Sequence, residues 1–468
     1  MLERNSFLAR QEITDEKLFT QQLFKMKTMI KRMSKVKWLL AAAWLLTYLP
    51  ARSQQTLYLP LQDAVRMGIE NSKQLGISKA KIAEAISQYK QAQDARLPTA
   101  KITFMGSEAF IPTTKFAFGQ DTLHLPSTAT LYMGILSIEE PIFAGNKFRY
   151  AKQSAELLQK IASSDTASNR NEIAFGIINT YYDLLKVKEN QKIVAQNVND
   201  IQQQLDETRK FEQQGLATEN DVLRWQLQLS NAELTGIELE NNRKIINYNM
   251  TIMLGLSDSI TLVPDSTIDT GVQLSSADDY ISQALSNRKD LEAYGYQLQL
   301  SDVNINKLKD SRLPTLGLGV SGYYVNPNTN FFPPANSFVA PVTVGLNLGW
   351  NISSLYTTKN KVSEANIQKQ ETELARQDLQ DNIKKETNAS YHDYLLALDK
   401  IKVLQTAVDQ ATENDRIMES KYKNQLANTT DRIDAETMLY QAKVNLQLAK
   451  VDARVAYYNL LKSTGTLQ

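Results

Sequence analysis

The longest regular pattern along this chain is helical. Residues 146–214 contain no proline, and apolar side chains recur every three or four positions, as at Val194, Val198 and Ile201. This spacing places them on one face of an α-helix. At 1.5 Å per residue the segment would form a helix about 100 Å long. It is too polar to cross a membrane, so we expect it to lie against other long helices.

A second helix follows after a turn at Gly215, which ends the first pattern. Thr218 or Asn220 can cap this helix, which is predicted to run from Asp221 to about Leu254. The unit is therefore a long helical hairpin.

The hairpin returns later in the chain at a constant offset of 210 positions. Tyr181 corresponds to Tyr391, and Asp221 corresponds to Asp431. The offset holds without a gap over about a hundred residues, as expected of an internal repeat. We therefore interpret the chain as a tandem duplication.

Each repeat also contains a shorter helix, predicted over residues 60–95 and 277–310, which ends at an Arg-Leu-Pro motif. Strand-like alternation of apolar and polar residues follows at 102–110, 131–138, 316–321 and 342–350. The predicted organisation is a first repeat over 54–254, a non-helical belt over 255–276 that is rich in Ser, Thr and Asp, and a second repeat over 277–468.

The clearest strand, 342–350, has apolar residues on one face and small or polar residues on the other. In a soluble sandwich the polar face would look outward, whereas in a membrane barrel the apolar face meets lipid and the polar face lines water. Four strands cannot close a barrel around a channel, and an open sheet in lipid leaves backbone groups unpaired. Several chains would therefore have to share a membrane barrel.

Aromatic residues gather beside the strands of the second repeat. They could form a girdle at a membrane interface or pack a loop. These residues are Tyr323, Tyr324, Phe331, Phe332 and Phe338.

Residues 1–53 have the features of a secretory signal peptide. Basic residues within 27–37 precede the apolar run Trp38–Leu49, and cleavage is expected before Gln54. A membrane anchor is the alternative, but this run is too short to span a bilayer. The long lead-in suggests that translation starts at one of three methionines, Met26, Met29 or Met33.

Composition argues against several functional classes. Cysteine is absent, which excludes disulfides and thiolate metal sites. The net charge is +1 with its basic excess in the N-terminal segment, so nucleic acid is not an expected partner. The motif G-x-G-x-x-G at 317–322 lies inside a strand pattern rather than between a strand and a helix. His124 and His392 form no ligand cluster, and we expect no enzymatic activity, no metal and no cofactor.

Two segments carry a resemblance to a known family. Residues 215–223, Gly-Leu-Ala-Thr-Glu-Asn-Asp-Val-Leu, resemble the periplasmic tip of the TolC family of outer-membrane efflux and secretion channels, and residues 431–443 are similar to the pattern of the same family. The resemblance covers 57–468 and includes the duplicated order of elements. It implies a mainly α fold with a membrane β-barrel. Long hairpins would build a helical barrel, and four strands per chain would contribute to a twelve-stranded barrel in a homotrimer. The implied partners are outer-membrane lipid, a periplasmic adaptor and an inner-membrane pump.

The resemblance also implies roles for single residues. A pore constriction would involve Asp431, Asp434 and Tyr422. In a threefold assembly each Asp would become a ring of three carboxylates that attracts cations. The residues implied to contact the adaptor are Gly215, Leu216, Ala217, Thr218, Asp221, Leu426 and Ala427.

The second tip departs from the family pattern. Gln425 stands where the first copy has Gly215, and Ala427 stands where a gating Arg can occur. A closed state locked by that charge is therefore not expected here.

The sequence thus predicts an outer-membrane exit duct of a tripartite efflux pump or a type I secretion system, extending into the periplasm. The alternative is a pore-less periplasmic helical scaffold or adaptor protein. Two hairpins and alternating strands favour the duct, because an adaptor would have one hairpin between β-rich domains.

Overall fold

The computed structural model describes residues 55–110, 112, 115–124, 128–265, 274–327 and 339–467. The predicted signal peptide, its cleavage site and the three candidate start methionines lie outside these residues, as do Phe331, Phe332 and Phe338. The helices given below belong to one compact unit, Tyr58–Asp258 with Leu262–Gln468.

The elements of the first half are β1 (Thr56–Leu59), α1 (Leu61–Asn71), α2 (Lys73–Asp94), β2 (Thr99–Phe110), β3 (Lys115–Phe118), β4 (Asp121–His124), β5 (Thr128–Phe143), α3 (Lys147–Gln213) and α4 (Glu219–Leu254). Those of the second half are β6 (Thr261–Pro264), α5 (Ala277–Asn287), α6 (Lys289–Asp310), β7 (Thr315–Pro327), β8 (Val342–Gly349), α7 (Ser354–Lys423) and α8 (Thr429–Ser463). The order of a helix pair, long strands, a very long helix and a shorter helix therefore occurs twice.

The two longest helices have the lengths that the uninterrupted sequence pattern predicts. Helix α3 contains 67 residues and α7 contains 70. Val194 and Ile201, from the apolar stripe of α3, are buried. Val198 packs against a buried cluster that contains Ile201 and Trp225 of α4. Within the described helices, none combines enough length with enough apolar character to cross a membrane.

The single helices predicted over 60–95 and 277–310 are each divided in two, so this prediction was wrong in detail. Ser72 lies between α1 and α2 in an extended conformation, with ψ 114°, and its hydroxyl accepts a hydrogen bond from the N–H of Leu75 at 3.2 Å. Arg288 lies between α5 and α6 in the same extended conformation, with ψ 121°, but its side chain does not cap α6. Its guanidinium donates to Asp290 at 2.7 Å and to Glu386 at 2.6 Å. Polar side-chain bonds stabilise both breaks.

Four strands form one antiparallel sheet in the order β2-β5-β7-β8. The strands of the two repeats therefore lie in a single sheet, and β2 and β8 are its outer strands. Two smaller sheets pair β1 with β6 and β3 with β4.

The described residues between 255 and 276 contain strand β6 and no helix. Tyr181, in the middle of α3, fixes this region. Its hydroxyl donates to the carbonyl of Leu59 at 3.0 Å and accepts from the N–H of Asp265 at 2.8 Å. Burial raises the pKa of Tyr181 to about 12, so the hydroxyl stays neutral at physiological pH.

The helices pack side by side in two series. One series runs from α4 through α3 and α8 to α7. The other, nearer the sheet, runs from α2 through α3 and α6 to α7. In both series α7 is the outer helix on one side, and α4 or α2 is the outer helix on the other.

Candidate functional site

The first hairpin tip is a tight turn followed by a capped helix. Gly215 has φ 73°, and the N–H of Leu216 donates to the carbonyl of Phe211 at 2.8 Å. This left-handed residue ends α3 in the way that glycine commonly does. Thr218 then caps α4, because its hydroxyl accepts from the N–H of Asp221 at 3.3 Å while its own N–H donates to the Asp221 carboxylate at 2.9 Å.

The second tip has the same geometry with a different residue at its centre. Gln425 has φ 59°, in the left-handed region, and the N–H of Leu426 donates to the carbonyl of Lys421 at 2.8 Å. Asn428 caps α8 by accepting from the N–H of Asp431 at 2.8 Å. The second turn therefore holds a residue with a Cβ where glycine is favoured.

Each tip presents one exposed leucine beside a half-buried alanine. Leu216 is 50% exposed and Leu426 is 77% exposed, and Ala217 and Ala427 follow them in the sequence. Thr218 is exposed at the first tip. The predicted contact residues of the two copies therefore form matching Leu-Ala pairs.

The two hairpins touch one another close to their tips. Arg224 of α4 donates to the hydroxyl of Thr430 at 2.8 Å, and Gln228 donates to the hydroxyl of Thr437 at 3.2 Å. The tips are thus held together within one chain.

The three residues of the predicted constriction are placed differently. Asp431 and Asp434 are exposed on the first turns of α8. Tyr422 is only 7% exposed, shares a hydrogen bond of 3.0 Å with Thr208 and packs edge-on against Phe211. The two carboxylates face solvent, whereas the tyrosine ring lies between the two hairpins.

A buried charged cluster lies on the same turns of α8 as these aspartates, on the buried side of the helix, and was not predicted from the sequence. Arg432 is 4% exposed and donates to the carboxylate of Asp415 on α7. Glu436 is 7% exposed, and neither carboxylate oxygen has a hydrogen-bond partner among the described residues. Its nearest ion-pair contact is 4.0 Å, to Arg432. The only sequence feature that indicated this cluster was the four-residue spacing of Arg432 and Glu436, which places the two side chains next to each other on a helix.

The cluster borders a cavity of about 430 Å³ between α3, α7 and α8. Burial is the main reason that the pKa of Glu436 rises to about 7, and the negative charges of Asp415, Asp200 and Glu419 raise it further. The positive charge of Arg432 acts in the opposite direction. Lys192 of α3 and Lys443 of α8 also line the cavity. Among the described residues, no group of three acidic or histidine side chains could hold a metal ion.

The sheet has two chemically distinct faces, because the register of its strands aligns apolar residues on one face and polar residues on the other. One row across the four strands consists of Ala100, Ile138, Val320 and Val344. The adjacent row, on the opposite face, consists of Lys101, Ser137, Ser321 and Thr343. The apolar face is exposed in this chain, since Ile102, Val344 and Leu346 are among its exposed large side chains. An apolar face opposite a polar one is the pattern of a membrane barrel wall.

The sequence matches the family described as outer membrane efflux protein over residues 65–256 and 280–466, more than half of the chain. Outer membrane protein TolC of Vibrio cholerae serotype O1 is 23% identical over 319 residues, which cover 67% of this chain and 72% of TolC.

Solved structures of channels share the fold. The outer-membrane channel OprN superposes with a TM-score of 0.72 at 15% identity and covers 87% of this chain and 90% of its own. VceC of Vibrio cholerae superposes with a TM-score of 0.70 at 16% identity and covers 87% of this chain and 97% of its own. The combined helical and β-barrel fold expected from the sequence is confirmed.

These matches favour the channel over the pore-less scaffold, and the family and fold are those of transport proteins rather than enzymes. They place the protein in the outer membrane with an extension into the periplasm. With its two-faced sheet and paired hairpins, and with a family match over more than half of its length, the chain belongs to the outer membrane efflux protein family.

Proposed function

We propose that three copies of this chain assemble into the exit duct of a tripartite efflux pump or a type I secretion system. The three sheets would join into one twelve-stranded barrel in the outer membrane. The hairpins would form a tunnel whose tip engages a periplasmic adaptor and, through it, an inner-membrane pump. The duct is passive, so its partners would supply the energy and select the cargo.

The directions of the two outer strands of the sheet, β2 and β8, support this proposal most strongly. Strands alternate in direction across the order β2-β5-β7-β8, so β2 and β8 run in opposite directions. Strand β8 of one copy can therefore pair antiparallel with β2 of the next, and the alternation continues around the ring. Pairing of this kind removes the unpaired backbone groups that lipid does not tolerate.

The helices support the same closure. Apart from Leu355 in its first turn, the exposed large apolar side chains on α7 fall within an arc of about 60° at 100° per residue. They are Tyr356, Ile367, Leu374, Leu396, Val403 and Ile417. Exposed apolar side chains on α4 fall within about 80°. They are Leu223, Leu227, Leu234, Ile237, Ile245, Tyr248 and Ile252. Since α7 and α4 are the outer helices of their series, these stripes would be covered by the neighbouring copies.

The tip leucines and the two aspartates keep their predicted roles in this proposal, whereas the role of Tyr422 changes. The exposed leucines of the two tips, Leu216 and Leu426, are suited to an apolar contact with the adaptor. Asp431 and Asp434 are exposed, which a carboxylate ring at the tunnel entrance requires. For Tyr422, burial against Thr208 supports a role in joining the hairpins of one chain beside the constriction.

Edge pairing can be tested on β8. The N–H of Tyr323 donates to the carbonyl of Pro341 at 2.9 Å. By the alternation of an antiparallel pair, the even-numbered residues of β8, including Leu346, direct their N–H to the free edge. Leu346→Pro removes one edge donor and leaves the β7 pairing intact. Leu346→Ala keeps the donor and is the matched control.

We expect the detergent-extracted wild-type protein and Leu346→Ala to have the native mass of three copies, and Leu346→Pro to yield smaller species. A native mass of three copies for Leu346→Pro would contradict the proposed edge pairing. A wild-type mass of one or two copies would contradict the shared barrel, because four strands enclose no pore.

A further inference from the structure

A cavity of about 790 Å³ lies where the sheet meets the helices of the first repeat. The residue pair Arg96-Leu97 after α2, the end of β5 and the beginning of α3 form its walls. The register of β5 is irregular between Pro141 and Phe143, at the point where the strand leaves the sheet. The cavity is therefore at the periplasmic end of the membrane sheet.

The part of the cavity next to the sheet is apolar and exposed. Leu97 is 59% exposed, Ile142 is 55% exposed and Phe143 is also exposed. Ile142 and Phe143 follow Leu136 and Ile138 along β5, and these two residues belong to the apolar face of the sheet and are exposed as well. The apolar surface thus continues to the rim of the cavity.

The part next to the helices is cationic. Arg96, Arg149 and Lys152 line it together with one carboxylate, Glu140. Among the described residues Arg96 and Arg149 form no ion pair, and Lys152 has one weak pair of 3.8 Å with exposed Glu156. Arginine binds phosphate through parallel N–H donors, and basic pockets beside membrane segments bind anionic headgroups.

The second repeat provides an internal comparison. Its Arg-Leu-Pro motif lies at Arg312, and the indole N–H of Trp350 donates to the carbonyl of Arg312 at 3.0 Å. Trp350 stands 210 positions after Glu140 in the repeat. A large aromatic ring therefore covers the motif at the second junction, whereas the first junction has a small carboxylate and the cavity.

We propose that this cavity binds the phosphate of an anionic phospholipid from the inner leaflet of the outer membrane. Arg96 and Arg149 would bind the phosphate, Lys152 would add a third positive charge, and the acyl chains would lie on Ile142 and Phe143. This proposal rests on the sheet lying in the membrane. The predicted stoichiometry is one lipid per chain, so the proposal does not depend on the number of copies in the assembly.

The test is native mass spectrometry of the detergent-extracted full-length channel titrated with phosphatidylglycerol. The variant is Arg96→Gln with Arg149→Gln. The matched control is Lys359→Gln with Lys361→Gln, because both lysines are exposed at the beginning of α7 and Lys359 is the repeat counterpart of Arg149. Zwitterionic phosphatidylcholine and an excess of inorganic phosphate are the comparison probes.

We expect one saturable phosphatidylglycerol per chain in the wild type and the control, and at least tenfold weaker binding in the Arg96 and Arg149 variant. The proposal is overturned if the variant binds as tightly as the wild type, or if phosphatidylcholine binds equally well. It is also overturned if inorganic phosphate displaces the lipid completely, since the site would then recognise free phosphate. The oligomeric mass in the same spectra reports separately on the proposed assembly.

Discussion

Protonation of Glu436 is predicted to control the stability of the hairpin tip. The folded protein raises the pKa of this carboxyl from 4.5 to about 7, chiefly because the side chain is buried. Below about pH 4.5 the carboxyl is neutral in both the folded and the unfolded states, and folding carries no penalty. As the pH rises towards 7 the unfolded state ionises first, so the free energy of unfolding decreases.

The size of the effect follows from the shift. One pKa unit corresponds to 1.36 kcal/mol, so the full loss above pH 7 is about 3 kcal/mol. Glu436→Gln keeps the shape of the neutral carboxyl and removes its ionisation. We therefore expect the variant to be more stable than the wild type at pH 8, by up to about 3 kcal/mol, and to differ little near pH 4.5.

Hydrogen exchange of residues 429–440 measures this directly, after correction for the intrinsic effect of pH. At pH 8 these amides should exchange up to about a hundredfold more slowly in Glu436→Gln than in the wild type. Glu413→Gln is the control, because Glu413 is an exposed α7 carboxylate paired with Arg416 at 2.7 Å. If the wild type and Glu436→Gln lose protection in parallel between pH 5 and pH 8, a group other than Glu436 causes the pH dependence of the tip's stability, and the prediction is wrong.

Two further predictions concern the tip. Replacing both Asp431 and Asp434 by Ala should weaken cation selectivity and block by multivalent cations in planar-bilayer recordings; unchanged selectivity would rule out the carboxylate ring. Gly215→Val should destabilise the first turn by about 1–2 kcal/mol, because φ is 73° there, and should reduce adaptor cross-linking and export. Gln425→Gly should have the opposite effect on stability, and a loss of stability in that variant would show that the Gln425 side chain contributes contacts of its own.

The long helices and strands were predictable because the spacing of apolar residues that defines each of them is a property of the local sequence. Val194 and Ile201 fall on one helical face whatever the partner helix is, and alternation along 342–350 assigns two faces without knowledge of the neighbouring strands. The helix breaks were missed because Ser72 and Arg288 are neither proline nor glycine. Their extended conformations depend on side-chain bonds, and those of Arg288 include one to Glu386, which is distant in the sequence.

The candidate site was less predictable, since it depends on how helices are rotated against one another. The repeat identified both tip turns, but it could not tell that Tyr422 meets Thr208 of α3. Likewise Arg432 and Glu436 look like an ordinary surface pair on α8 until Asp415 of α7 is brought against them. Tertiary packing, rather than local pattern, turns these residues into a buried cluster.

In the proposed assembly, the difference between the two outer strands of the sheet has a genetic consequence. The contact between copies is heterologous, with β8 of one chain meeting β2 of the next. A copy whose β8 is blocked, such as Leu346→Pro, can still accept a neighbour at β2 and then stops the ring from closing. In a cell that makes equal amounts of both chains, about one ring in eight would contain only wild-type copies if the copies mix at random. Such an allele would have a dominant-negative effect on export.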